Sequence, residues 1–421
     1  MKQLITFIKN KSHGLKASSL INAVFICVII SVFSGCLVLL SHYQNMLNNQ
    51  LYMQENLINR NIASFNYLIN NLESIDYNKV EKIDVFDDNL FSYLEKKNWG
   101  FYDIIVSKTI FKNDTISKTA MVGKVNVKAD NLALYVTDYD KPLKLSGSTK
   151  ILGDIKVPNG RTEQAYINGN KGNKIKLRGK ASKSNDRLPK INKDIRIDFS
   201  DYEPIPFNSL DKETIVINGF DKTTKLIDLN EINTLSNIVL KGNIVLTSNN
   251  ELQIEKTAKL NDVLVIAPKV KILSGFKGNI QVIAKKTVEV DEDVLLKYPS
   301  SIYVKNDNDS VSVVINKDSK ILGGIVIDGD THSGALKRIL EIKETAIVVG
   351  SIYCYGKTQF EGRLIGSVFT DRFNLKTKSS NYENVILNAS INRDSLPKNF
   401  IELPLFKNDI DNKKYAIVKE F

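Results

Sequence analysis

Between Ala17 and Ser41 the chain runs 25 residues without a charged side chain. A helix rising about 1.5 Å per residue crosses a hydrocarbon core of roughly 30 Å in such a run. Asn22 and the small residues Ser31, Ser34 and Gly35 are compatible with it, because the helix satisfies its own backbone hydrogen bonds. Lys2, Lys9, Lys11 and Lys16 precede the run with no acid among them; the first charges after it are Glu55 and Arg60. Excess lysine before a span places the N-terminus in the cytoplasm. The expectation is a single-pass protein of a bacterial inner membrane: a cytoplasmic leader over 1–16, a transmembrane helix over 17–41, and the remainder in the periplasm or otherwise outside the cytoplasm.

Past the span, Met46, Leu47, Leu51, Leu57, Ile58, Ile62, Phe65, Leu68, Ile69 and Leu72 recur mainly at three- and four-residue steps among Asn, Gln and Glu, which predicts a helical stalk over 42–75. Residues 76–141 alternate in short runs (80–86, 104–111, 132–136), with a turn expected at Asn113-Asp114, and read as a small antiparallel β domain. The aromatic group Trp99-Gly100-Phe101-Tyr102 is expected to pack in a core.

From residue 142 the texture changes to short apolar runs punctuated by Gly, Asn and Asp, and an internal repeat emerges. Thr149 to Val157 (TKILGDIKV) is echoed by Ser319 to Ile327 (SKILGGIVI) and, in part, by Lys271 to Gly275. A quartet of a small or polar residue, a β-branched residue, any residue and usually another apolar one begins at Asn237, Asp262, Asn279, Ser301, Gly324, Ser351 and Ser367. Steps of 16 to 27 residues suit one coil of two or three short strands, each stacked on its equivalent in the next coil. The expected fold is therefore mainly β, with a parallel β-helix, or solenoid, over 142–395. Ile238, Val263, Ile280, Ile302, Ile325, Ile352 and Val368 should point inward and Gln281 should lie on the surface. The basic stretch 166–190 reads as a loop leaving the coils. Residues 396–421, rich in proline at Pro397 and Pro404, read as a cap or tail over the last coil's edge.

Net charge is +11; with the four leader lysines set aside, 54 basic residues face 47 acids. That modest excess suits an anionic surface or glycan. Cys27 and Cys36 lie in the span, so no intramolecular disulfide with Cys354 is expected. The segment most suggestive of chemistry holds Asp328, Asp330 and His332, two carboxylates and an imidazole within five residues; its turn-forming neighbours also fit a plain corner loop. The basic residues Lys174, Lys176, Arg178 and Lys180 are candidates for contact with a partner or acidic glycan. They lack the interleaved aromatics of a nucleic-acid surface, and no nucleic-acid partner is expected. No nucleotide-binding glycine loop, GxSxG elbow, HExxH or CxxC pair occurs, so no cofactor or metal is expected.

Three resemblances add to this reading. Phe33-Ser34-Gly35-Cys36 resembles a lipoprotein box, which would make Cys36 a lipidated N-terminus, although Leu37-Val38-Leu39-Leu40 continues apolar after it. Ala17-Ser18-Ser19-Leu20-Ile21-Asn22 after a lysine-rich leader resembles the processing region of type IV pilins and pseudopilins, which would place cleavage after Ala17. Asn22 stands where that family has glutamate, as in the large minor pseudopilins that cap such filaments. The repeats of 142–395 resemble right-handed parallel β-helix proteins, and in texture the bactofilins, scaffolds that polymerise through exposed ends. The resulting expectation is a non-enzymatic, membrane-anchored structural or interaction protein of the cell envelope, with a protein or envelope glycan as partner. A minor pseudopilin-like component of a secretion or pilus machine and a tethered polysaccharide-active enzyme are the alternatives.

Overall fold

One helix, Lys16–Asn70, carries the chain from the apolar run to the body of the protein without a break. It contains no proline and one glycine, Gly35, and at about 1.5 Å per residue is roughly 80 Å long. Its first half exposes large apolar side chains such as Leu20, Phe25, Val32 and Leu39, and is long and apolar enough to cross a membrane. Residues 42–56 are exposed on nearly every position. From Leu57 onward the helix is packed: Leu57, Asn61, Ser64, Phe65 and Leu68 are buried along one face, and Leu72 and Ile75 follow them into the core from the turn beyond, so the helix expected to reach residue 75 ends at Asn70. The computed structural model describes residues 16–126, 131–167, 174–191, 202–210, 215–307, 310–329, 335, 337–406 and 413–421.

The packed face lies on an antiparallel sheet. Val80–Ile83, Ser92–Trp99, Tyr102–Phe111 and Asp114–Asn126 follow one another as a meander, and the C-terminal strand Lys413–Glu420 adds to its outer edge. Phe65, Leu68, Leu72 and Ile75 meet Leu94, Ile105, Ala120 and Val122 in a shared core. The Asn61 amide donates to the carbonyls of Ser107 and Ile116 at 2.9 and 3.1 Å, and Arg60 reaches Asp84 and Asp88. These buried polar contacts set the register of helix on sheet. The expectation that 396–421 caps the last coil is corrected here: the final strand covers the edge of Asp114–Asn126, whose unpaired amides and carbonyls offered the same hydrogen bonds.

The rest is a sheet of 22 strands built on three parallel ladders, in which the short strand Asn381–Glu383 pairs antiparallel with the end of Arg363–Lys376, and a three-stranded parallel sheet of Val385–Leu387, Leu143–Ser146 and Thr162–Gln164. On the first side, Val216, Leu240 and Leu260 stack in one line, and Leu296, Ile321, Val348, Leu364, Ile391, Ile151 and Leu177 continue it. On the second, the line runs Ile227, Leu246, Val265, Val282, Ile302, Ile325, Ile352, Val368, Leu134, Ile155. On the third it runs Ile254, Ile272, Val290, Ile315, Ile342, Phe360. Strands such as Lys259–Ile272 and Ile347–Phe360 pass through all three ladders, so the sheet closes on itself around one apolar core. The corner between the first and second sides requires glycine where coils approach most closely. Gly323, Gly350 and Gly366 are in register, with φ between +121° and +144°, and a Cβ on Gly350 would lie 1.9 Å from the Gly323 carbonyl oxygen.

All seven quartet residues expected to face inward are buried. They do not form one ladder. Ile302, Ile325, Ile352 and Val368 stack directly, but Val282 and not Ile280 sits under Ile302, because the corner before Ile302 carries extra residues and shifts the pairing beyond Gly278. The repeats around Gly153 and Gly323 do occupy equivalent places, whereas Ile272 of the third, partial copy belongs to the third side. Two further corrections concern the ends. The strand Leu132–Val136, expected in the antiparallel domain, pairs in the parallel sheet between 368–370 and 154–156; it is apolar on both faces, as a strand buried on both sides must be. The stretch 166–190, expected as a loop, contributes Lys176–Arg178 and Ala181–Lys183, which pair in parallel with Lys150–Leu152 and Asp154–Val157.

The spatial order of coils departs from the chain order. The stack ascends from 215 to 392, and the coils of 143–183 continue it beyond residue 392. At the junction one coil is composite: Val385–Leu387 and Ser390–Asn392 supply two sides, and Leu132–Val136 supplies the third.

A candidate interaction surface

The outward faces of the three sides differ. On side two, Leu226, Val245, Leu264, Ile283, Tyr303, Val326 and Tyr353 point outward and are covered by Trp99, Phe101, Tyr102, Leu403 and Leu405. Phe101 meets Tyr303 edge to face at 5.7 Å, and Trp99 meets Phe220 at 5.0 Å. Gln281, expected at the surface, lies beneath this cover: its Oε1 accepts from the Phe101 amide and its Nε2 donates to the Trp99 carbonyl, both at 2.9 Å. Its side chain does point away from the stack core, and only the docking of a remote hairpin buries it. At the neighbouring corner, Lys419 of the C-terminal strand holds the fully buried carboxylate of Asp262 at 2.6 Å.

Side three is exposed and electrically balanced. Glu251 faces Lys269 in register, and Lys271 faces Glu289, with ion pairs of 3.7 and 3.2 Å. Opposite charges on adjacent strands are the favourable arrangement for an exposed ladder.

Side one is exposed and carries one sign of charge. Its outward positions include Lys241, Lys259, Lys277, Lys297, Lys320, Arg363, Lys150, Lys176 and Arg178, and the strand segments of this side contain no aspartate or glutamate. Of this set, among the described residues, only Arg178 forms an ion pair, with Asp394. The pairings Leu295–Lys320, Lys320–Ile347, Ile347–Arg363, Arg363–Ser390, Ser390–Lys150 and Lys150–Lys176 place the charges in one line across strands. Lys259 and Lys277 join that line, two residues before the paired Asn261 and Asn279. Half-exposed Leu295, Leu322, Ile347, Val349 and Ile365 lie among them. The sequence did carry a signal for this row: a lysine or arginine recurs just before the first inward residue of many coils, as in Lys150-Ile151, Lys259-Leu260, Lys320-Ile321 and Arg363-Leu364.

The residues singled out from sequence fall in different places. Lys176 and Arg178 lie on the terminal strand of side one, the Lys180 amide donates to Asp154 at 2.8 Å, and Lys174 is exposed just before that strand. Asp328 ends a side-two strand, where it accepts from Tyr303 Oη at 3.3 Å and from the Gly329 amide at 2.8 Å. Asp330 and His332 lie outside the described residues. The strand of Asp328 is five strand spacings, about 24 Å, from the terminal basic strand, so the two candidates do not form one site. Cys36 is exposed on the apolar helix, and Ala17 lies in its first turn. Cys354 is buried, and burial pushes its thiol up to about 12, a value at which it is an inert core residue. Comparison with known proteins finds no matching family model, no similar curated protein and no similar solved structure.

Proposed function

We propose that the chain is a membrane-anchored structural and interaction protein that holds a right-handed parallel β-helix outside the cytoplasm. The observation that carries this reading is the unbroken helix Lys16–Asn70: its exposed apolar half suits lipid, and its last turns are locked to the antiparallel sheet that docks on the parallel stack. Anchor and body are thus one mechanical unit, and the long exposed faces of stacked coils suit contact rather than turnover. Bactofilin-like polymerisation that joins like coil ends is disfavoured at one end, where Lys176, Arg178, Lys180 and Lys183 are exposed on or beside the edge strands and would repel the same end of a second copy. The test is protease added to intact spheroplasts. Digestion of everything beyond about residue 60 is the expected outcome for this topology. Full protection would overturn it.

A second reading, a minor pseudopilin-like subunit cleaved after Ala17, is favoured by the same continuous rod, since its apolar half starts at Ala17 and leads directly into a packed head. Mass spectrometry of the mature protein separates the two: an N-terminus at Ser18 supports the pseudopilin reading, and an intact leader supports the plain anchor.

A further inference from the structure

We propose that side one of the stack binds a linear anionic polysaccharide, its acid groups matched to the row of cations from Lys259 to Lys176 with the polymer running along the stack axis.

Charge is the first argument. Like charges directly across neighbouring strands oppose one another, and surface ladders ordinarily alternate sign, as side three of this protein does. On side one, Lys259, Lys277, Lys320, Arg363, Lys150 and Lys176 instead repeat one sign at one phase of six separate coils. Lys259 and Lys277, and Lys150 and Lys176, are directly opposed; between the others stands one neutral residue, Leu295, Ile347 or Ser390, and an extended polyanion offsets the accumulated like charge along the row. Spacing is the second argument. Strands stack at about 4.8 Å, so the row from Lys259 to Lys176 offers charges at multiples of that step over nine strands, about 38 Å, and a pyranose ring in an extended chain advances by a similar step. The half-exposed Leu295, Leu322, Ile347, Val349 and Ile365 between the cations give apolar contact for the C–H faces of sugar rings.

An anionic bilayer would offer charge too, but position disfavours it. The exposed helical turns 42–56 separate the apolar span from the packed body by about 22 Å, more than twice the distance over which salt screens lipid charge.

The proposal rests on reading the stack as a presented surface, yet its test is independent of membrane orientation. The full chain in nanodiscs of zwitterionic lipid is titrated with polygalacturonate and with neutral dextran. Salt-sensitive binding of polygalacturonate alone is expected. Replacing Lys259, Lys277, Lys320 and Arg363 together by Gln should weaken it about tenfold or more and flatten its salt dependence, while the matched set Lys269, Lys317, Lys343 and Lys357 to Gln, off side one, should change it less than about twofold. Melting temperatures report whether each variant is folded; should the fourfold variant melt early, Lys277→Gln with Lys320→Gln repeats the comparison, and a loss confined to side one is again the expected result. The proposal is overturned if the wild type ignores polygalacturonate, if both sets lose affinity equally, or if phosphatidylserine vesicles or a DNA oligomer compete as well as the glycan.

Discussion

Gln281 occupies an outward-pointing position of side two and is 3% exposed, because the turn between Trp99 and Tyr102 closes over it. Its amide bridges two units that are 180 residues apart in the chain, accepting from Phe101 and donating to Trp99. Gln281→Ala leaves both backbone groups without partners beneath the cover, at a cost of about 1–3 kcal/mol each. Urea denaturation should show the loss; wild-type stability in that variant would mean that the bridge contributes nothing. Glu383 is the second such position. The Lys141 ammonium, and Arg372 at 2.8 Å, hold its carboxyl below the ordinary value of 4.5. A depressed folded value contributes stability above the unfolded value and loses it as pH falls through the folded one. Glu383→Gln should therefore melt below wild type near neutral pH, with the gap closing on acidification. A gap that widens in acid would reverse the assignment. The effect will be small, because Lys141 is largely exposed.

Among elements, the helix was the most legible. Its apolar run, its lack of breakers and the three- and four-residue spacing to Leu72 are local properties, and Lys16–Asn70 follows from them. The inward positions of the parallel coils were legible for the same reason, since β-branched residues at repeated phase have one buried side to occupy. Side membership was less so. Leu132–Val136 alternates no differently from a strand of the antiparallel meander, and Lys176–Arg178 is too polar to announce a strand at all; each is a strand because a neighbouring ladder offers it hydrogen bonds. The partition of side one from side three was likewise hidden, because a lysine count does not say which lysines share a face.

For the whole molecule, the composite coil is the decisive feature. Ile391 is fully buried between Leu364 below and Ile151 above, so the last coil of the long ascent is the floor for coils that precede it by some 240 residues in the chain. Ile391→Asp places a carboxylate with no counter-charge in that core, a cost large relative to net stability. Hydrogen exchange should then accelerate in 143–157 together with 363–376. Acceleration confined to the immediate neighbours of residue 391 would mean that the two sets of coils are stable separately. The interlock also explains why Leu188 and Pro189, on the return path from the distal coils, lie along side two, where Tyr353 Oη donates to the Pro189 carbonyl at 3.0 Å.

The sequence by itself determined an apolar helix long enough to span a membrane, a mainly β body, and the residues that fill the parallel core, because each of these depends on the periodicity of neighbouring side chains. Only the tertiary structure decided that the C-terminal strand returns to the first sheet, that Gln281 is buried, that the early coils crown the late ones, and that the unpaired cations align on one side. Those outcomes depend on which open strand edge or apolar face finds which partner, and hydrogen-bond complementarity between segments hundreds of residues apart leaves no local pattern in either segment.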